Sequence, residues 1–205
     1  MKEKIKVLNL YAGIGGNRKL WTNVDVTAVE IDPKIAKIYQ DFFPNDRVIV
    51  CDAHQFLLEH FGEFEFIWSS PPCPTHSDWR RVWVDAKKQK PLYPEMDLYQ
   101  EIILLEHFFK RKWVVENVIS YYKPLIKPQI VGNHFLWANF HISDIKLEKR
   151  GSRENRHYLA KRKGFDLPND VTNKRQLLRN CVEPELGLHI FKMAFKDRQK
   201  NLGKF

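Results

Sequence analysis

The sequence predicts an α/β protein built on a mostly parallel sheet with helices on both faces. Three observations carry this. Short apolar, β-branched runs alternate with stretches of helical periodicity; the first run stops at a glycine turn; and 205 residues suffice for one domain with a real core.

The elements follow in order. KIKVLNL (4–10) is an apolar, β-branched strand that ends at the turn YAGIGGN, and a helix-like stretch is expected from there through Trp21. DVTAVEID (25–32) is a second strand. PKIAKIYQDFF (33–43) opens with proline at a helix start, where the missing N–H costs nothing, and Ile35, Ile38, Tyr39 and Phe42 fall at helical spacing. RVIVCDA (47–53) is a third strand, HQFLLEHF a helix, and FEFIWSS (64–70) a fourth strand. Residues 95–110 form a helix, followed by the strand WVVENV (113–118). Shorter strands are expected at HFLWANFHIS (134–143) and NRHYLAKR (155–162), then a closing helix from PELGLHIF onward. Residues 74–94 show little periodicity and read as a loop carrying Arg80, Arg81, Lys87, Lys88 and Lys90. A loop of that length inside a domain is more often functional than idle. With no internal repeat or linker, residues 1–205 read as one domain.

The formal charge of +9 favours a polyanionic partner, nucleic acid first and an anionic membrane surface a distant second. Three scattered cysteines without a CxxC pair argue for a reducing, cytoplasmic setting and against a disulfide scaffold. No apolar run is long enough to span a membrane, and MKEKIKVLNL lacks the apolar stretch of a signal peptide.

Residues able to do chemistry gather at predicted strand ends. The glycines of YAGIGG let backbone approach a ligand closely. Glu30, ending the second strand, suits the two hydroxyls of a ribose, and Asp52, ending the third, suits an adenine amino group. Together they describe an adenosine pocket. NAD is one candidate, but the turn is GxGG rather than GxGxxG; S-adenosylmethionine, which has no phosphates, fits better. The fourth strand delivers Pro71-Pro72-Cys73, whose prolines stiffen the segment that presents the thiol. Glu116 ends another strand, and a buried carboxylate there can serve as a proton donor. Cysteine and acid together suit nucleophilic addition to an electron-poor ring. Other readings remain open for the thiols. Cys51 and Cys181 read as small buried hydrophobes. Cys73 and His76 have CxxH spacing, yet no H-x-E accompanies them as a zinc deaminase requires, and no metal site is expected. No histidine sits in a cysteine-protease context.

Several stretches together resemble the DNA cytosine-5 methyltransferase family. LNLYAGIGG is similar to its cofactor loop, VEIDP to its second motif, CDA to its third, PPCPTHS to the nucleophile motif and VVENV to the acidic motif. RENRHYLA resembles the arginine motif more loosely, and RQLLRNCVEPELGLHI the last motif. The resemblance implies a Rossmann-like S-adenosylmethionine-dependent methyltransferase fold and the cofactor S-adenosylmethionine. The residues it implies for that cofactor are Tyr11, Ala12, Gly13, Ile14, Gly16, Glu30, Ile31, Asp52, Ala53, Pro71, Asn180 and Val182. It implies catalytic roles for Cys73, Glu116 and Arg156, and contacts to double-stranded DNA from Ser77, Arg80, Arg81, Lys87 and Lys88. A cytosine flipped from the duplex would be attacked at carbon 6 by Cys73, with Glu116 on N3.

The chain also departs from the family pattern. Asn9 and Tyr11 stand where Asp and Phe are usual, and Pro74 replaces a Gln. In SRENR, Arg156 aligns with the second arginine and Glu154 with the first; Arg156 is favoured because HYLA then stays in register as a strand. Arg179 and Cys181 replace Gly and Ser in the last motif. Only about residues 164–174 occupy the place of the usual target-recognition region, so recognition would fall to the 74–94 loop, to GNHFLWANF, or to a separate subunit. RNA as the substrate, or a partner-dependent binding subunit, are the rival expectations.

Overall fold

Seven strands form one sheet in the order β3-β2-β1-β4-β5-β7-β6. The computed structural model describes residues 3–87, 90–147 and 155–196; the Lys87 side chain and all of Lys88 lie outside the described residues. Strands β1 (Ile5–Leu10), β2 (Val24–Val29), β3 (Arg47–Ile49), β4 (Phe66–Ser69) and β5 (Lys112–Val118) pair in parallel. The hairpin β6 (Gln129–Val131) and β7 (His134–Ala138) adds to β5 with β7 antiparallel.

Period-two alternation explains why both faces are dry. Leu8 and Leu10, Ile67, and Trp113 and Val115 point to one side, while Val7, Phe66 and Trp68, and Val114 point to the other. The first side packs on α2 (Ala53–His60) and α4 (Asp97–Phe108) through Leu57, Leu98, Ile102 and Leu105. The second packs on α7 (Pro184–Ala194) through Leu186, Ile190 and Phe191. Helix α1 (Pro33–Phe42) starts as read, with Asp32 capping the N–H groups of Lys34 and Ile35 and proline in the first turn.

Four expectations are corrected. The stretch through Trp21 is not a helix but a series of turns, with Gly15 N–H donating to Ala12, Lys19 to Gly16 and Trp21 to Arg18. Core contacts hold it that way: Asn17 pairs with Asn9, and the buried Trp21 indole donates to the Gly187 carbonyl at 3.0 Å. The 74–94 segment is not all loop, since Asp78–Lys87 forms α3. Its apolar residues Trp79, Val82 and Trp83 do recur at helical spacing, but they face solvent. NRHYLAKR is α5 (Arg156–Lys163), not a strand. Asn155 caps it by accepting from Tyr158 N–H, Gly164 ends it in the left-handed region, and Leu159 and Lys163 form its buried face. Strand β3 ends at Ile49, so Asp52 does not end a strand; it caps α2 by accepting from Gln55 N–H at 2.9 Å. In addition, β6 and α6 (Lys174–Asn180) were not foreseen, and β7 stops at Ala138. Among the described residues no helix is long and apolar enough to cross a membrane.

Candidate active site

Strand register assembles the site. Leu10 pairs with Val29 on one side and Ser69 on the other, and Ser69 pairs with Val115. The next residues, Tyr11, Glu30, Ser70 and Glu116, therefore emerge side by side at one edge. Connections leave β1 and β4 in opposite directions across the sheet, which makes their carboxyl ends the switch point where open α/β sheets bind ligands.

At β1 the chain turns through left-handed conformations at Tyr11 (φ 52°), Gly13 (φ 53°) and Gly15 (φ 84°). Glu30 holds this turn, its Oε2 accepting from Gly13 N–H at 2.9 Å while Oε1 accepts from Asp32 N–H at 3.1 Å. A Cβ on Gly13 would meet nothing within 4 Å, so the turn opens onto free space. A Cβ on Gly16 would collide with Cys181 Sγ and the Val182 carbonyl; the last motif lies directly against the turn. Helix α5 fixes that motif from behind: Arg162 pairs with Glu183 at 2.6 Å, and the buried Lys163 ammonium reaches both Glu183 and the Cys181 carbonyl. Ile31 is 65% exposed next to Glu30, an apolar side chain left for a ring to cover. Ala12, Ile14 and Ala53 are buried around the turn, Val182 is half-buried, and Asp52 and Asn180 are exposed.

The segment that carries Cys73 is anchored at several points. The buried Asn117 amide donates to the Pro71 carbonyl at 3.0 Å. The Cys73 carbonyl accepts from the N–H groups of His76 and Ser77, and Tyr121 N–H donates to the His76 carbonyl. Ser77 bridges to Ser120, and His76 Nδ1 lies 2.6 Å from the Tyr122 hydroxyl, so this histidine turns inward. Burial first, and then the nearby Glu116 charge, push the Cys73 thiol above its ordinary pKa. Glu116 is itself buried and lies 2.6 Å from Nδ1 of the buried His134.

A second carboxylate was missed in the sequence. Glu101, fully buried on α4, accepts from the Tyr11 hydroxyl at 2.6 Å and the Ser69 hydroxyl at 2.5 Å, with His54 Nδ1 at 3.2 Å. One group thereby ties together the glycine turn, the lead-in to Pro71 and the start of α2. Hydrogen bonding to Glu101 raises the His54 pKa from 6.5 to about 9, and burial beside Glu101 raises that of Tyr11. The tyrosine in place of phenylalanine was the available signal, since a hydroxyl in a half-buried turn needs a partner.

The remaining expected residues lie farther out. Arg80 is half-buried and donates to the Lys90 carbonyl, and Arg81 is exposed on α3. Arg156 is exposed at the first turn of α5, and the strand register that favoured it over Arg153 does not exist. Cys181 is buried as expected, whereas Cys51 is half-buried.

A family model for C-5 cytosine-specific DNA methylases matches residues 5–119, the span that holds the glycine turn, Glu30, Cys73 and Glu116. No curated protein matches this chain. Among solved structures, the Entamoeba histolytica methyltransferase EhMeth is 11% identical, with 96% of this chain and 99% of that chain covered at a TM-score of 0.54. A variant of DNMT2 from Spodoptera frugiperda is 24% identical, with 56% of this chain and 36% of that chain covered at a TM-score of 0.40. At 11% identity the likeness to EhMeth is one of fold alone. The family match takes in more than half of the 205 residues, and the chain belongs to the C-5 cytosine-specific DNA methylases.

Proposed function

We propose that this methyltransferase acts on cytosine in double-stranded DNA through a covalent adduct of Cys73. The observation that carries the proposal is the meeting of a half-buried thiol and a buried carboxylate, Cys73 and Glu116, beside the open glycine turn.

S-adenosylmethionine is the methyl donor of the family, and the turn fits it. Gly13 opens on free space, Glu30 presents a carboxylate held by two backbone N–H groups, and the exposed Ile31 offers apolar cover for the adenine. When bound it supplies an electrophilic methyl on a sulfonium. The chain's own groups do the rest. The Cys73 thiol passes its proton to the Glu116 carboxylate as Sγ bonds to carbon 6 of a flipped cytosine, and Glu116 delivers that proton to N3. That addition makes carbon 5 nucleophilic toward the methyl. Water then takes the carbon 5 proton, the electron pair released expels Cys73 Sγ, and N3 returns its proton through Glu116 to the sulfur. Anchors from Asn117, Ser120 and Tyr121 hold the thiol segment in place for this sequence.

In this reading residues 1–205 form a single catalytic domain. Residues 164–174 stand in place of a target-recognition domain, and phosphate contacts come from α3 and its flanks. A separate recognition subunit would then supply sequence choice. The test incubates the chain with labelled S-adenosylmethionine and either duplex DNA or RNA, with Cys73→Ser as control. Transfer to DNA that is lost in Cys73→Ser is expected; transfer to RNA alone, or undiminished transfer by Cys73→Ser, rejects the proposal.

A further inference from the structure

One partner of Glu116 among the described residues is set by a turn and a register. Gly132 at φ 57° and Asn133 make a two-residue hairpin loop, so Val131 pairs with His134 and His134 becomes the first residue of β7. β7 then runs antiparallel to β5, with Glu116 opposite Leu136 and Val118 opposite His134. Alternation puts Glu116, Leu136 and His134 on one face of the sheet, the last as the diagonal neighbour of Glu116. Two long side chains can meet across that diagonal. They do so at 2.6 Å between His134 Nδ1 and Glu116 Oε1, with the residues 5% and 7% exposed. A carboxylate this buried needs a donor, and a donor this buried holds its acceptor in one orientation.

We infer that His134 is a positioning residue for Glu116: its Nδ1–H holds Oε1, and this helps fix how the carboxyl meets N3 of the cytosine. The inference rests on the role proposed above for Glu116. When Glu116 gives its proton to N3 it is left as a carboxylate, and the Nδ1–H···Oε1 bond stabilises that charge without moving either strand. Its action is therefore on the chemical step, not on cofactor binding.

Three substitutions test this. Asparagine places an N–H where Nδ1–H was, glutamine carries its amide to where Nε2 was, and leucine removes the donor. His134→Leu and His134→Gln are expected to lower kcat for methyl transfer by roughly 10- to 100-fold, the scale of a misplaced catalytic group. His134→Asn should recover to within about fivefold of wild type, with KM for S-adenosylmethionine unchanged within about twofold in all three. Retained cofactor binding and a sharp melting transition identify folded variants. If His134→Leu does not fold, the contrast between His134→Asn and His134→Gln decides alone. Wild-type kcat in His134→Leu, equal losses in Asn and Gln, or an effect confined to KM each overturn the inference. If wild type itself transfers no methyl, the function proposed above fails and takes this inference with it.

Discussion

Among the described residues Glu116 neighbours Cys73 and His134, and its charge can be read out on the cysteine. It lies beside the Cys73 thiol, where its negative charge together with burial disfavours the thiolate. Glu116→Gln should therefore lower the Cys73 pKa and speed alkylation of that residue by iodoacetamide at pH 8 by about threefold or more. Well below its pKa, a thiol's ionised fraction rises about tenfold for each whole number by which that pKa falls. Peptide mass spectrometry separates Cys73 from Cys51 and Cys181; an unchanged Cys73 rate would refute the proximity of the charge. Cys73 and Glu116 were legible as residue types at strand ends. Their partners were not. His134, Glu101 and His54 are ordinary residues in the sequence, and only long-range pairing gives them a neighbour to act on.

Helix α3 shows how an element can escape notice. Helices are read by an apolar stripe turned toward a core, but here Trp79 is 66% exposed and Val82 45%, so the stripe has no core to face. The helix closely follows the Pro71-Pro72-Cys73 segment, and Thr75 and Arg80 tie it to Glu95 and Lys90. If its arginines meet phosphates, Arg80→Ala/Arg81→Ala should weaken DNA binding at low salt and flatten the slope of log affinity against log salt by about 2. Affinity for S-adenosylmethionine should not change. A slope equal to that of wild type would remove these arginines from the phosphate contacts. Helix α5 was misread for a different reason. HYLA alternates like a strand, but an asparagine cap, a terminal glycine and the Leu159–Lys163 face outweigh four residues of alternation.

Across the whole molecule the Glu101 cluster couples the glycine turn to α2 and α4, so its charge state bears on global stability. His54 titrates at about 9 in the fold against 6.5 when unperturbed. A folded pKa raised above the unfolded one contributes stability that is fully present below about pH 6.5 and is lost as pH rises through about 9. Wild type should accordingly melt above His54→Gln by about 2–4 °C near pH 6, a difference ordinary for one weakened interaction in a chain of this size. The difference should close by pH 10. A gap that persists or widens at high pH would mean that the His54 charge is not what Glu101 uses.

By itself the sequence determined the mostly parallel α/β sheet, the glycine turn, and the delivery of Cys73 and Glu116 to strand ends. These depend on local periodicity and on turn residues, which neighbouring positions encode. Tertiary structure alone decided which carboxylate each donor meets. It also decided that the last motif presses on Gly16, that Asp52 caps a helix, and that β6 and β7 bring His134 to Glu116. Those outcomes depend on register between segments far apart in the chain, where a slip of one residue would turn every side chain to the opposite face.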